Sequence, residues 1–160
     1  MKKLIYALIL LIVGFGFGFA AGVYTLPIII ELKSDRPQTA NLTPAVESDP
    51  TGQFDRNSPG SDPLHWGEGT VRVSNAKLVF EQDVKFAPGP DYRIYMSRKF
   101  ADTKSDFAKI KANAVEIAKL KTFSGPLEFD LPENFNASEY DNVVIWCETF
   151  SMYIASARLE

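Results

Sequence analysis

The chain of 160 residues has one cysteine, one histidine and no surplus of positive charge. A single cysteine excludes an intramolecular disulfide and any cysteine-clustered metal or iron–sulfur site. A single histidine excludes a two-histidine metal site and leaves His65 as the only imidazole for catalysis. The 17 Lys and Arg stand against 20 Asp and Glu, for a net charge of -3 and a pI near 5.3. Nothing there neutralises a phosphate backbone, so nucleic acid is not an expected partner. No nucleophile elbow, Ser-x-x-Lys set, Walker loop or zinc motif appears, so a hydrolase is a poor reading. No Cys-x-x-Cys-His haem attachment appears either, and no motif names a cofactor. Whether the chain is an enzyme stays open, with a stand-alone enzyme the less favoured reading.

Charge is also missing from the N-terminal region. After Lys2 and Lys3, no residue from Leu4 to Ile30 is charged. That run exceeds the roughly 20 apolar residues a membrane-spanning helix needs. Residues 1–32 are therefore expected to be a transmembrane anchor. A signal peptide cut near Ala20-Ala21-Gly22 is the alternative, but its apolar region is usually about 7–15 residues. The lysine pair predicts a cytoplasmic N-terminus and an extracytoplasmic remainder, single-pass in the plasma (inner) membrane. Gly14, Gly18 and Gly22 share one helix stripe, where a second copy could pack closely to make a homodimer. Their alternative is the ordinary abundance of glycine in membrane helices.

Residues 33–66 hold Pro37, Pro44, Pro50, Pro59 and Pro63 and few large apolar side chains beyond Phe54 and Trp66. No period of two or 3.6 runs through them, so they read as a disordered, semi-extended linker. Asn41-Leu42-Thr43 matches an N-glycosylation acceptor.

Residues 67–160 read as the folded domain. Val71 and Val73 alternate around Arg72. Tyr92, Ile94 and Met96 lie opposite Arg93 and Tyr95. Leu127, Phe129 and Leu131 alternate with Glu128 and Asp130, and Met152 and Ile154 with Tyr153. These are half-buried strands. Ala87-Pro88-Gly89-Pro90-Asp91, Ser124-Gly125-Pro126 and Pro132-Glu133-Asn134 supply turns. The predicted class is mainly β: one antiparallel β-sandwich or small barrel, after a transmembrane helix and a linker. Ser105 to Lys121 is ambiguous. Ser105 could cap a helix carrying Phe107, Ile110, Ala114 and Ile117, yet Val115, Ile117 and Leu120 also fit a strand. Asn142-Val143-Val144-Ile145-Trp146-Cys147 is apolar on both faces, which predicts a central strand.

Three blocks carry a resemblance. VVIWCETFSMYIASARL (Val143 to Leu159), PGPDYRIYMS (Pro88 to Ser97) and LEFDLPENFNASEYDNV (Leu127 to Val143) occur in the order found in the DM-thirteen domain family, which the C-terminal 90 or so residues resemble. The resemblance implies a β-rich fold, a strand over Val115 to Leu120, an extracytoplasmic electron-transfer role and a redox centre at Cys147. It also implies a redox protein as partner, beside the lipid bilayer.

The residues themselves keep two readings of Cys147 open. A lone extracytoplasmic thiol could form a mixed disulfide, a sulfenic acid or a metal thiolate. It could equally be a buried, inert core thiol, and Glu148 beside it would raise its pKa. Trp146 on the opposite face is an electron relay or a core residue. Asp91 is a ligand or acid/base group, or a turn residue bonded to its own backbone. His65 stands alone at the linker's end and reads as incidental. Glu128, Asp130 and Glu133 fit a solvated strand face better than a calcium loop. The function class is thus a membrane-anchored, extracytoplasmic redox module. A non-catalytic binding or assembly module of the cell envelope, with a structural cysteine, is the alternative.

Overall fold

A computed structural model describes residues 2–33 and 42–160. Asn41, in the match to a glycosylation acceptor, lies outside the described residues. Helix α1 runs Lys2–Lys33. Its stretch Lys2–Val23 has a mean hydropathy of 2.5 and no buried residue, so it is long and apolar enough to cross a membrane. A Cβ added at Gly14, Gly18 or Gly22 would meet nothing within 4 Å, so that stripe is open in the single chain.

The rest is mainly β, as two antiparallel sheets. The first holds β1 (Thr51–Phe54), β2 (Gly67–Ser74), β3 (Lys77–Phe80) and β7 (Leu127–Asp130) in that order, with the short β4 (Lys85–Phe86) paired to β2. The second has the order β6 (Val115–Leu120), β5 (Tyr92–Ser97), β8 (Asn142–Cys147), β9 (Met152–Arg158). Their inner faces meet in a sandwich-like core. Phe54, Val71, Leu78 and Phe80 come from one sheet; Tyr92, Ile94, Met96, Val143, Ile145 and Ile154 come from the other. Period-two alternation along each strand puts these side chains on one face. Phe54 sits edge-on to Phe80 and Phe86, with ring centroids 5.6 and 5.1 Å away.

Strand β1 lies inside the stretch read as linker. Four residues between prolines are too short for a visible period, yet Gly52 and Phe54 are buried and Thr51 and Gln53 exposed. The strand is held on both sides. It pairs with β2, and Thr51 and Glu160 exchange two main-chain hydrogen bonds of 3.0 Å. The C-terminal end of the second sheet is thereby tied to the edge of the first. Arg72, buried in β2, reaches back to the segment before β1. Its guanidinium binds Asp49 at 3.3 Å, Glu81 at 2.6 Å and the carbonyl of Thr43.

The second sheet is covered on its outer face as well. Helix α2 (Lys104–Ile110) and a short 3-10 turn, Lys111–Asn113, precede β6. The strand over Val115 to Leu120 is thus present, and the ambiguous segment is a short helix followed by a strand. The helix cap is Thr103 rather than Ser105. The Thr103 hydroxyl accepts from the Asp106 N–H at 3.2 Å and donates to the Asp106 carboxylate at 2.7 Å. Phe107 then lands on Tyr95 and Trp146. A strand covered on both sides is apolar throughout, which is why β8 shows no alternation.

Candidate functional site

Cys147 is the last residue of β8, facing inward between Tyr92 of β5 and Met152 of β9. Its side chain is almost wholly buried, at 2% exposure. The thiol donates to the carbonyl of Pro90 at 3.0 Å. Beyond it lies a cleft of about 160 Å³ whose walls include Pro88, Gly89, Tyr92, Phe150 and His65. Glycine is required at 89: a Cβ there would stand 2.3 Å from the Tyr92 hydroxyl oxygen, so only a bare backbone lets the turn close over the ring. Phe150, half exposed, is one of the cleft's lining residues.

The β8–β9 hairpin turns straight after the cysteine. The main-chain N–H groups of Phe150 and Thr149 belong to that turn, within three residues of the thiol. Burial is the dominant influence and pushes the thiol pKa up; those two N–H groups pull it down, and the carboxylates of Asp91 and Glu148 add to the rise. The net direction is upward, so the resting sulfur is a protonated thiol. The sequence reading of Glu148 was right in direction, with burial the larger cause.

Trp146 points to the opposite face, as a regular strand requires. It is buried against Phe107, with ring centroids 5.3 Å apart, and faces Tyr153 across the β8–β9 pair. The structure does not bring it to the cleft. Asp91 does not bond its own turn through its carboxylate. Oδ1 instead holds Lys119 at 2.8 Å and Arg93 at 3.1 Å, and the residue adopts a φ of 48°. Its carbonyl accepts from the Glu148 N–H at 3.1 Å, which links the two turns on either side of Cys147. His65, read as incidental, stands on the cleft wall. Its Nδ1 is 2.8 Å from Asp62 Oδ2, and Asp62 Oδ1 accepts from the Leu64 and His65 N–H groups. Glu128 and Asp130 both face Lys77, at 3.1 and 3.7 Å.

A second cluster was not visible in the sequence. The Tyr95 hydroxyl lies 2.5 Å from Glu148 Oε1 and 3.2 Å from Glu116 Oε2. Lys111 Nζ binds the same Glu148 oxygen at 2.8 Å, and Arg93 binds Glu116 at 2.7 Å. These residues come from β5, β6, the 3-10 turn and the hairpin, so no spacing announces them.

This charge network has a pH signature. Hydrogen bonding to Lys119, then to Arg93, holds the Asp91 carboxyl below its ordinary 3.8. Burial opposes the same shift at Glu148, but Lys111 and Tyr95 outweigh it and hold that carboxyl below 4.5. The unfolded chain therefore binds protons first as pH falls. The stability these groups contribute is complete above the ordinary carboxylate range and drains away as pH drops through it. The expected result is an unfolding temperature that falls below about pH 4.5 in the full chain. Asp91→Asn with Glu148→Gln should flatten that fall. An unchanged slope in the double variant would refute the assignment.

Two antiparallel sheets packed face to face, with the chain's one thiol beneath a Pro-Gly-Pro turn, define a β-sandwich domain. A model of the family described as electron transfer DM13 matches residues 60–159, more than half of the chain. The chain belongs to that family, as the three sequence blocks implied. No curated protein and no solved structure matches it. The match begins after β1, so the strand that joins the two sheets precedes the matched region.

Proposed function

We propose that this protein is a membrane-tethered electron-transfer domain held outside the cytoplasm, with Cys147 as the group that exchanges with a redox partner. Family membership supports electron transfer. Helix α1 and the two lysines at its start support the tether and its orientation. One observation carries the assignment to Cys147: it lines the cleft beside the Pro88–Pro90 turn.

The chain's only thiol cannot resolve internally, so the partner supplies the second sulfur pair. Cys147 loses its proton, and its sulfur attacks a partner disulfide. One S–S bond forms as another breaks, and the partner's second sulfur leaves as a thiolate. A thiolate of a second, dithiol partner then attacks the Cys147 sulfur, and the first partner's sulfur leaves so that this partner ends as a dithiol. The second partner's other thiol displaces Cys147 as its own disulfide forms. Two electrons and two protons pass from the second partner to the first.

The test is alkylation of the full chain in detergent micelles by a small neutral thiol reagent. Cys147 should react while the protein stays folded. Its rate should climb at a higher pH than for a free cysteine, whose pKa is about 8.5. A thiol that reacts only on unfolding overturns the proposal.

The burial of Cys147 favours a second reading, a structural cysteine in an assembly module. Cys147→Ala separates the two. It removes the thiol with a small polar penalty. Loss of partner exchange in a stable Cys147→Ala protein supports the redox role, and unchanged behaviour in cells supports the structural one.

A further inference from the structure

The outer face of the second sheet carries an arrangement that the thiol chemistry does not use. Tyr95 is 5% exposed, beneath Phe107. Its one hydroxyl proton faces two carboxylates, Glu148 at 2.5 Å and Glu116 at 3.2 Å. Each carboxylate is itself balanced by a cation, Lys111 on Glu148 and Arg93 on Glu116. Lys111 also stands 5.0 Å over the Tyr95 ring. These are the titratable groups that face the phenol, drawn from β5, β6, the 3-10 turn and the hairpin after β8. The proton therefore has a positioned acceptor before any chemistry begins.

The ring has aromatic neighbours in the other direction. Tyr95 and Phe107 are 5.5 Å apart between centroids, and Phe107 and Trp146 are 5.3 Å apart. Tyr153, across the strand pair from Trp146, belongs to the same buried cluster. Tyr153 provides a contrast within the same layer. Its hydroxyl lies against the hydroxyls of Ser156 at 2.9 Å and Ser58 at 3.3 Å, neither of them a base.

We propose that Tyr95 is a second redox-active residue, a phenol oxidised by one electron with its proton passed to Glu148. This rests on the electron-transfer reading of the domain and not on the chemistry of Cys147. A one-electron oxidant, such as an oxidised metal centre on a partner, takes the electron and is reduced by one unit. The O–H proton moves to Glu148 Oε1, leaving a neutral tyrosyl radical and a neutral carboxylic acid. An electron from a donor reverses both transfers. Proton movement to a fixed acceptor keeps the phenol from becoming a cation in a buried site. Trp146, joined through Phe107, extends the aromatic contact toward the middle of the sheet.

The test uses the full chain in detergent micelles and hexachloroiridate(IV) as the one-electron oxidant. Rapid-freeze electron paramagnetic resonance should show a tyrosyl signal. Tyr95→Phe should lose it, and Tyr153→Phe should keep it. Glu116→Gln with Glu148→Gln should slow its formation by on the order of 10²-fold, the usual scale for a positioned base. This double variant keeps Tyr95 and reads the same step if Tyr95→Phe folds poorly. A wild type without a tyrosyl signal overturns the proposal, as does a signal that survives Tyr95→Phe or an unchanged rate in the double variant. Cys147→Ala keeps the two assignments apart. The signal should persist in it whether or not the thiol exchanges with a partner, and its loss there would show that the radical depends on the sulfur.

Discussion

Phe107→Ala is expected to destabilise the protein by about 3–5 kcal/mol, the range for deleting a fully buried aromatic ring. Phe107 has no exposed surface and is the buried residue of α2. Seven residues cannot sustain a helix on propensity alone. The ring therefore holds α2 on the sheet, by contact with Tyr95 and Trp146. Without it, the outer face of β8 meets water and the Tyr95 hydroxyl loses its shelter. Denaturant unfolding of the full chain would measure the loss. A change under about 1 kcal/mol would mean that α2 is held by something else.

Gly52→Val is expected to cost about 3 kcal/mol by forced overpacking. A Cβ at 52 would stand 2.3 Å from the carbonyl oxygen of Arg158, which is main chain and cannot swing away. Strand β1 would be pushed off β9. The paired bonds between Thr51 and Glu160 would open, and Phe54 would leave the rings of Phe80 and Phe86. Limited proteolysis should then cut near residues 50–55 in the variant and not in the wild type. Equal resistance in both would show that β1 contributes little to the sandwich.

Much of the fold was legible because period two survives wherever one face of a strand is wet. Leu127 to Leu131 showed its faces directly, and the turns at Pro88–Asp91 and Ser124–Pro126 bounded the strands they separate. The strand at Met152 to Ile154, expected to be half-buried, is instead covered on both faces, with Tyr153 and Ile154 both buried. Strand β1 was not legible. Its four residues carry two buried side chains among prolines, and a glycine is one of the two. Ser105 to Lys121 was ambiguous because a short helix and a strand adjoin there, and the apolar spacing of each continues into the other.

Of the candidate site, the sequence singled out Cys147, Trp146 and Asp91, and local rules placed them. A strand alternates, so the thiol and the indole had to face opposite ways. The partners of each were beyond any local rule. Asp91 meets Lys119, Glu148 meets Lys111 and Tyr95, and His65 joins the cleft of Cys147 only because distant strands pair.

The amino-acid sequence by itself determined the apolar N-terminal helix, the β class, the family and the lone thiol. Each is written in composition, in short periods or in a contiguous motif. Tertiary structure decided the rest: that the domain recruits β1 from the proline-rich stretch, that the thiol lies buried beneath Pro90, and that Tyr95 sits between two carboxylates. Those outcomes depend on strand order and register, which fix which faces meet and how deeply each group is removed from water.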